Sequence, residues 1–352
     1  MKNKPPVTTL LLVLGVALSL YALALTLSGD VPLDALSHAL TSHTGVTVLL
    51  LCLSNYALRG WRWRTWMHHL GHPLPALTAL RIYLCGYAFT ATPGNVGEAA
   101  RGMLLQPRLS AQSSVSIFGA ERVADLLGLL LLCVPAVVWM LGTLGLEWWV
   151  SVLGLFMLGV LAWRLYALWR SKKEEPASSS AHGKQEATSL LQHVHPHHHE
   201  APPVVLTPRA AEEPIPPPTL LQKAQQALAQ AWGCLRHQPL QWLSLTVLAW
   251  LAQGMAVWLI CTQQGLNLHG LLATGIYAVS MVGGAVSMLP AGLGGTEAIM
   301  TGLLMWVAQD SAQTLSLAQA VVITLVVRLL TLWLAVALGL LTLLYSAWRR
   351  PW

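Results

Sequence analysis

Six apolar runs dominate this sequence, and most of them reach the length of about 20 residues that an α-helix needs to cross a bilayer core of about 30 Å. Only 10% of its 352 residues are charged, whereas soluble proteins carry about 25%. This pattern excludes a soluble or secreted globular protein and predicts an all-α polytopic membrane protein. The predicted transmembrane helices lie near residues 8–27, 44–58, 114–144, 147–169, 239–262 and 316–346.

Two features bear on targeting and on redox state. Lys2 and Lys4 precede the first apolar run, as in a secretory signal peptide. That run is longer than the roughly 7–15 residues of a signal sequence, which favours a retained transmembrane helix. The cysteines show no CxxC motif or paired spacing, so they are predicted to be small core residues without a disulfide framework. They are Cys52, Cys85, Cys133, Cys234 and Cys261.

Lysine and arginine in short loops mark the cytoplasmic side of a membrane, and their positions orient the chain. Lys2 and Lys4 predict a cytoplasmic N-terminus. After the second run, three arginines alternate with three tryptophans in Arg-Gly-Trp-Arg-Trp-Arg-Thr-Trp, residues 59–66. A nucleic-acid patch would also combine basic and aromatic residues. We favour a cytoplasmic-face anchor, with the tryptophans at the lipid headgroups and the arginines in the cytoplasm.

Two shorter apolar segments, residues 76–92 and 271–289, are predicted to form re-entrant helical hairpins. If the first were a full crossing, the basic cluster within residues 164–173 would lie outside the cell. A hairpin that enters and leaves on the cytoplasmic side keeps every basic cluster inside. The same logic makes the second a hairpin that enters from outside, with both termini cytoplasmic. Two halves with hairpins near residues 76–105 and 271–309 would form an inverted repeat.

Each of these segments ends in a motif rich in proline and glycine, within residues 89–102 and 287–302. Proline has no backbone donor, and glycine permits positive φ and tight turns. Irregular backbone is tolerated at membrane depth only where protein buries it or where it lines a watery cavity. Interrupted segments at corresponding positions of two halves therefore indicate a transporter's binding site. The predicted turn residues are Pro93, Gly94, Gly97, Pro290, Gly292, Gly294 and Gly295.

Seven ionisable residues fall in or beside the apolar stretches, and they are the candidate substrate-binding residues. Each would cost about 2.5–3.5 kcal/mol at the centre of a transmembrane helix, so pairing is expected. We predict that Arg122 and Arg328 meet Glu98 and Glu297 around one cavity, where the arginines bind a lipid phosphate. In one alternative the charges only lock helices together, and in another Glu98 and Arg101 form a surface i,i+3 pair. The candidates are Glu98, Arg101, Glu121, Arg122, Asp125, Glu297 and Arg328.

Three motifs carry a resemblance to a known family. Pro-Gly-x-x-Gly-Glu-x-x-Arg, Glu-Arg-x-x-Asp-Leu-Leu and Pro-x-Gly-x-Gly-x-x-Glu occur in this order. They resemble the membrane half of bacterial lysylphosphatidylglycerol synthase/flippases and their stand-alone flippase-like relatives. The resemblance implies an inverted-repeat domain of the bacterial inner membrane that moves a lipid headgroup between leaflets, with the seven ionisable residues as functional candidates.

The sequence also departs from that family. The first motif has Asn95-Val96 where the family is commonly more glycine-rich. The chain ends at Trp352, without the large aminoacyl-transferase domain of the bifunctional members. Synthesis of lysyl-lipid is therefore not expected, and the lysyl headgroup is not supported as the substrate.

A change of composition divides the chain into three parts. Residues 1–169 would form the first membrane repeat, residues 170–219 a disordered cytoplasmic linker rich in proline, serine and histidine, and residues 220–352 the second repeat. Five histidines within residues 193–200 could bind a metal, but a flexible tract offers no fixed ligand geometry, so no metal site is expected. Leu220 to Arg236 is predicted to be an amphipathic helix on the inner leaflet.

No nucleophile elbow, HExxH, P-loop or dinucleotide motif is present, so the sequence predicts a transporter and no enzyme or cofactor. An intramembrane enzyme with Glu98 or Glu297 as general base, and a scaffold whose loop recruits partners, remain as alternatives. The expected partner is a membrane phospholipid or a polyprenyl phosphate, and no nucleic acid. A homo-oligomer and a separately encoded synthase partner stay open.

Overall fold

The computed structural model describes residues 42–90, 92–105, 109–145 and 219–348, and all regular secondary structure in these ranges is helical. The predicted crossings at 8–27 and 147–169, and nearly all of the predicted linker, lie outside the described residues. The α-helices in the described part are α1 (His43–His69), α2 (Ala76–Tyr87), α3 (Ala111–Thr143), α4 (Leu220–Arg236), α5 (Pro239–Gln263), α6 (Gly270–Val286), α7 (Gly295–Asp310), α8 (Leu317–Arg328) and α9 (Leu334–Trp348).

Local sequence explains where several of these helices begin. The Ser42 hydroxyl accepts a hydrogen bond from the backbone N–H of Gly45 and caps α1. A capping box of Thr219 and Gln222 starts α4, and one of Ser316 and Gln319 starts α8. In a capping box, two side chains satisfy two of the backbone N–H groups that the first turn leaves without partners.

Four helical stretches of the described residues are long and apolar enough to cross a membrane. Those over Ala111–Thr143, Pro239–Gln263 and Leu317–Ser346 coincide with three of the predicted crossings. The fourth, Pro290–Asp310, belongs to the second predicted hairpin, for which the sequence predicted no full-length crossing. Helix α1, which contains the predicted crossing 44–58, is not among the four because polar residues interrupt its apolar run.

Helices from the two halves of the chain pack against each other. Helix α1 packs along α5, α2 against α9, and α6 against α3. Small residues allow these approaches: a Cβ on Gly275 of α6 would lie 2.7 Å from the backbone nitrogen of Ala136 in α3, and one on Gly339 of α9 would clash with the backbone of Ala88, just after α2. As a result, α1–α3 and α4–α9 form one compact unit.

Each half of the chain has one irregular turn between two of its helices. The first turn segment, Pro93–Leu105, is a 3₁₀ helix with positive φ at Gly94 and Asn95. The second turn segment, Pro290–Gly292, has positive φ at Ala291 and Gly292, and Gly294 follows with φ 84°. The two segments contact each other.

Glycine has a different role at two other predicted turn positions. Gly97 and Gly295 do not have positive φ. A Cβ on Gly97 would lie 2.7 Å from the carbonyl oxygen of Phe89, and one on Gly295 would lie 3.0 Å from Ser287 Oγ. Glycine is therefore needed at these positions for close packing of the turn against the preceding helix.

A short π-helix, Leu329–Trp333, joins α8 to α9 directly after Arg328. A π turn leaves backbone carbonyls without their usual i+4 partners. Here the Tyr56 hydroxyl of α1 donates to the carbonyl oxygen of Thr331 at 2.9 Å. This bond ties the irregular turn to α1.

Candidate functional site

A cavity of about 310 Å³ lies among α1, α3, α5, α6, the two turn segments and the π-helix. Its volume is at the lower end of the range of about 300–1,000 Å³ that is usual for small-molecule sites. Apolar side chains such as Leu126 and Val282 form part of its wall. The polar and aromatic part of the wall consists of Tyr56, Arg59, Tyr87, Thr90, Asn95, Glu98, Arg122, Asp125, Trp250, Gln253, Tyr277, Arg328 and Thr331.

The carboxylate of Asp125 in α3 binds two arginines of α1. Arg59 donates to Asp125 Oδ2 at 2.7 Å, and Arg62 donates to Asp125 Oδ1 at 2.9 Å. Arg62 also donates to the Thr246 hydroxyl of α5 at 2.7 Å. All three charged side chains are buried. One buried carboxylate therefore joins α1 to α3 and neutralises one of the two arginine charges.

The prediction that residues 59–66 anchor the chain at the cytoplasmic face, with the arginines in the cytoplasm, is wrong for Arg59 and Arg62. Their exposed fractions are 6% and 0%, and Trp63 and Trp66 are buried as well. Helix α1 continues to His69, so these residues lie inside the helix and share the face that packs against α5. Arg59 lies four residues after Asn55 and three after Tyr56, and Arg62 lies three after Arg59, which was the signal that could have identified a shared helix face.

Glu98 of the first turn segment pairs with Arg122 of α3. An Arg122 guanidinium nitrogen donates to Glu98 Oε2 at 3.1 Å, and the Thr90 hydroxyl donates to Oε1 at 3.0 Å. The same Arg122 nitrogen lies 3.6 Å from Asp125 Oδ2. The Arg122 side chain is still 30% exposed, and its Nε has no hydrogen-bond partner.

Arg101 does not pair with Glu98 on the surface, contrary to the alternative of an i,i+3 surface pair. It is buried and donates to Glu121 of α3, which is also buried. The guanidinium carbon of Arg101 lies 4.4 Å from the ring centroid of Tyr83 and 5.8 Å from that of Trp63. Arg101 of the first turn segment therefore pairs with Glu121 of α3, and Glu98 of the same segment pairs with Arg122 of α3.

Arg328, the last residue of α8, joins that helix to the second half's turn. Its Nε donates to Glu297 Oε1 of α7 at 2.7 Å, and one terminal nitrogen donates to the carbonyl oxygen of Ala291 at 2.7 Å. The other terminal nitrogen lies 3.8 Å from the sulfur of Met281. The Arg328 side chain is 2% exposed, so the guanidinium is almost fully enclosed by the protein.

The structure thus forms both predicted arginine–carboxylate pairs and brings four of the seven candidate residues to one wall. Glu98, Arg122, Asp125 and Arg328 line the cavity. Arg101, Glu121 and Glu297 lie outside this lining: Arg101 and Glu121 bond each other, and Glu297 bonds Arg328 of the lining. The aromatic and amide side chains of the wall were not predicted, because nothing in the local sequence distinguishes them from other core residues.

Cysteines and clusters of metal ligands are two other kinds of reactive site. All five cysteines are free and buried, as the absence of paired spacing predicted. Among the described residues, no group of three or more histidine, cysteine, aspartate or glutamate side chains could hold a metal ion.

Comparison with protein families gives a match over most of the chain. The family model described as "Lysylphosphatidylglycerol synthase TM region" matches residues 12–339. The chain belongs to this family. A comparison with curated proteins finds no match.

The lysylphosphatidylglycerol synthase membrane region spans both turn segments and every charged residue of the cavity wall. In this member, the first motif contributes Glu98 and Arg101, the second contributes Glu121, Arg122 and Asp125, and the third contributes Glu297. Three motifs that are separate in the sequence therefore supply the ion pairs in and beside the cavity wall, with α1 adding Arg59 and Arg62.

Proposed function

We propose that this protein moves a lipid with a phosphate-containing headgroup between the two leaflets of the bacterial inner membrane. The headgroup occupies the cavity, and the acyl or prenyl tails stay in the bilayer. The protein acts as a transporter, without chemical change to the lipid, and both of its termini are cytoplasmic.

The arginine-lined cavity within a bundle of apolar helices carries this proposal. A phosphate cannot cross hydrocarbon without compensation for its lost hydration. Three arginines of the wall, Arg59, Arg122 and Arg328, supply positive charge that can compensate for this lost hydration. Guanidinium groups bind phosphate oxygens through charge-assisted and often bidentate hydrogen bonds.

The arrangement of helices supports an inverted repeat with two re-entrant hairpins. The packing partners are exchanged between halves: α2 of the first half packs on α9 of the second, and α6 of the second packs on α3 of the first. Each turn segment lies beside a carboxylate that bonds an arginine of a later helix, Glu98 with Arg122 and Glu297 with Arg328. Irregular backbone beside a polar cavity is the arrangement that membrane depth tolerates.

Accessibility to membrane-impermeant thiol reagents tests the hairpins. Leu77 and Ser110 are exposed residues beside the two ends of the first predicted hairpin, and Leu271 and Asp310 beside the two ends of the second. Cysteines at positions 77 and 110 should both be reached from the cytoplasmic side, and cysteines at positions 271 and 310 both from the outer side. Labelling of positions 77 and 271 from the same side would contradict the inverted repeat.

A translocation assay in vesicles tests the transport itself. The purified protein is placed in vesicles that contain phosphatidylglycerol with a fluorescent acyl chain, and an external reductant bleaches the outer leaflet. Transport predicts bleaching beyond the outer-leaflet fraction, and R122Q should slow it, whereas R236Q removes an exposed arginine outside the cavity and should not.

Chemical analysis of the same lipids separates the alternatives. Lipid that crosses unchanged supports transport. Altered lipid would support an intramembrane enzyme, and neither result would favour a scaffold. A separately encoded synthase would supply a modified lipid in the cell without changing the outcome in vesicles.

A further inference from the structure

The charges of the cavity wall do not balance. Among the described residues, the wall contains three arginines, Arg59, Arg122 and Arg328, and two carboxylates, Glu98 and Asp125. With all of them ionised, the wall carries one net positive charge. Outside the lining, Arg62 bonds Asp125 and Glu297 bonds Arg328, while Arg101 and Glu121 bond each other. These four residues leave the excess unchanged because they are two of each sign.

The carboxylates of the wall are already committed. Glu98 accepts hydrogen bonds from Arg122 and Thr90, one on each oxygen. Asp125 accepts from Arg59 on one oxygen and from Arg62 on the other, and the Trp250 indole lies 3.4 Å from the second. Both carboxylates are nearly enclosed, with side-chain exposures of 2% for Glu98 and 7% for Asp125, so an ammonium group in the cavity would have to share a carboxylate that is already paired with an arginine.

Two aromatic rings of the wall already lie against a protein cation. Aromatic faces are the other common site for an ammonium group. The Arg59 guanidinium lies 5.8 Å from the ring centroid of Tyr87 and 5.1 Å from that of Trp250. Tyr56 packs edge-on against Tyr87 at 5.3 Å. The Arg59 guanidinium therefore already lies against Tyr87 and Trp250, two rings that could otherwise contact the ammonium group of a lipid.

Arg122 and Arg328, the arginines of the two predicted pairs, differ in exposure and in the number of their hydrogen bonds. Arg328 is 2% exposed and is bonded to Glu297 and to the Ala291 carbonyl. Arg122 is 30% exposed, and its Nε has no hydrogen-bond partner although the atom is buried. Among the described residues, only one terminal nitrogen of Arg122 makes a hydrogen bond, to Glu98, so this partly exposed side chain of the cavity lining keeps donor capacity, whereas Arg328 holds the second turn in place.

We infer that the cavity selects headgroups that carry a phosphate anion and no ammonium group, with the phosphate bound at Arg122, and that it rejects aminoacylated lipids. The inference rests on the proposed function and names the substrate class for the same site. A phosphate anion compensates the excess positive charge. An ammonium group adds to that excess in a region of low dielectric, where like charges repel strongly.

The rates at which lipids with different headgroups cross the vesicle membrane measure this selectivity. The probes are acyl-labelled phosphatidylglycerol, phosphatidylethanolamine and lysylphosphatidylglycerol. We expect phosphatidylglycerol to cross at least about tenfold faster than the lysyl lipid, a ratio that corresponds to about 1.4 kcal/mol. The isosteric change Gln253→Glu adds one negative charge to the wall, and its Oε1 can still accept the Tyr277 hydroxyl bond of 3.1 Å. Q253E should narrow the ratio towards equal rates.

Thermal unfolding in detergent gives a second measurement that does not need transport. Added phosphatidylglycerol should raise the Tm, and lysylphosphatidylglycerol should not. R122Q should lose this stabilisation while R236Q keeps it. Polyprenyl phosphate and water-soluble glycerol phosphate, tested in the same way, show whether the site requires a phosphodiester and whether it requires a lipid tail.

The outcomes separate the inference from the proposed function. Equal or faster crossing of the lysyl lipid overturns the inference and leaves the transport proposal standing. If no lipid crosses, the transport proposal fails, and the unfolding measurement still decides on selectivity. Stabilisation by the lysyl lipid, or by neither lipid, would then overturn the inference.

Discussion

Arg62 and Asp125 are separated by 63 positions in the sequence, yet an Arg62 nitrogen donates to Asp125 Oδ1 at 2.9 Å inside the helix bundle. The exposed fraction of Arg62 is 0% and that of Asp125 is 5%. Because Arg59 binds the second oxygen of the same carboxylate at 2.7 Å, this single acidic side chain bonds α1 to α3 at two positions.

Asp125→Asn should therefore destabilise the protein strongly. It leaves two buried guanidinium groups without their counter-charge, a type of change that costs about 3–5 kcal/mol. Thermal unfolding in detergent measures the effect. Asp310→Asn is the matched control, since Asp310 accepts the Trp139 indole bond in an exposed setting where asparagine can also accept. Equal losses of Tm in the two variants would contradict the role given to Asp125.

Gly97→Ala should disturb the first turn segment. The new Cβ would lie 2.7 Å from the Phe89 carbonyl oxygen and 2.9 Å from Thr92 Cγ2, so the turn must move. We expect slower lipid translocation and a lower Tm. Gly119→Ala in α3 provides the comparison, because no atom lies within 4 Å of its added Cβ and alanine favours a helix. A Gly97 variant that behaves like the Gly119 variant would show that the close packing of this turn is unimportant.

Tyr56→Phe should loosen the π-helix next to Arg328. The change removes the hydroxyl that donates to the Thr331 carbonyl at 2.9 Å and leaves a buried acceptor unsatisfied, at a cost of about 1–3 kcal/mol. Hydrogen exchange followed by mass spectrometry should show faster exchange in peptides over residues 329–335. Peptides from α5 serve as the internal reference. Unchanged exchange at the π-helix would indicate that the Tyr56 bond does not stabilise it.

Helix α4 should lie at the membrane surface. Leu221, Leu228 and Trp232 form an exposed apolar stripe along it, and such stripes bury themselves in the headgroup region. A spin label at position 228 is expected to show high accessibility to oxygen and low accessibility to a water-soluble nickel chelate. A label at Lys223, an exposed basic position away from the stripe on the same helix, should show the reverse. The same accessibility at both positions would place the stripe in water.

His69 and His237 should make stability fall in acid. Their rings stack at 4.0 Å between centroids, and partial loss of hydration, together with the neighbouring His237, lowers the pKa of His69 below its ordinary value. The fold therefore favours neutral His69, so stability is full above the ordinary pKa and decreases as the pH falls through it. Between about pH 8 and about pH 5.5, on either side of the ordinary histidine pKa of about 6.5, His69→Gln should show a smaller drop in Tm than the natural protein. An identical drop would assign the acid sensitivity to other groups.

Much of the fold could be read from the sequence because local physics decides it. Apolar runs of sufficient length located three of the long helices over Ala111–Thr143, Pro239–Gln263 and Leu317–Ser346. The cost of unpaired charge in hydrocarbon predicted that Arg122 and Arg328 would have carboxylate partners, and the pairs with Glu98 and Glu297 are formed.

The partners of the remaining charges were decided by tertiary packing. Arg101 is three residues from Glu98, but its carboxylate partner is Glu121 in α3. Arg59 and Arg62 read as a surface anchor, since adjacent tryptophans and arginines are common at membrane surfaces. Their burial follows from the face of α1 that meets α5 and from Asp125 on a third helix.

The amino-acid sequence by itself determined that this is a helical membrane protein with two proline- and glycine-rich breaks and a set of charges that must find partners. Transfer free energies and backbone geometry act on a few neighbouring residues, so a linear pattern contains that information. The packing of α1, α3, α5 and α8 decided which charges meet, and it decided that one cavity carries an excess arginine. Electrostatic pairing depends on distances between side chains, and the linear order does not specify those distances.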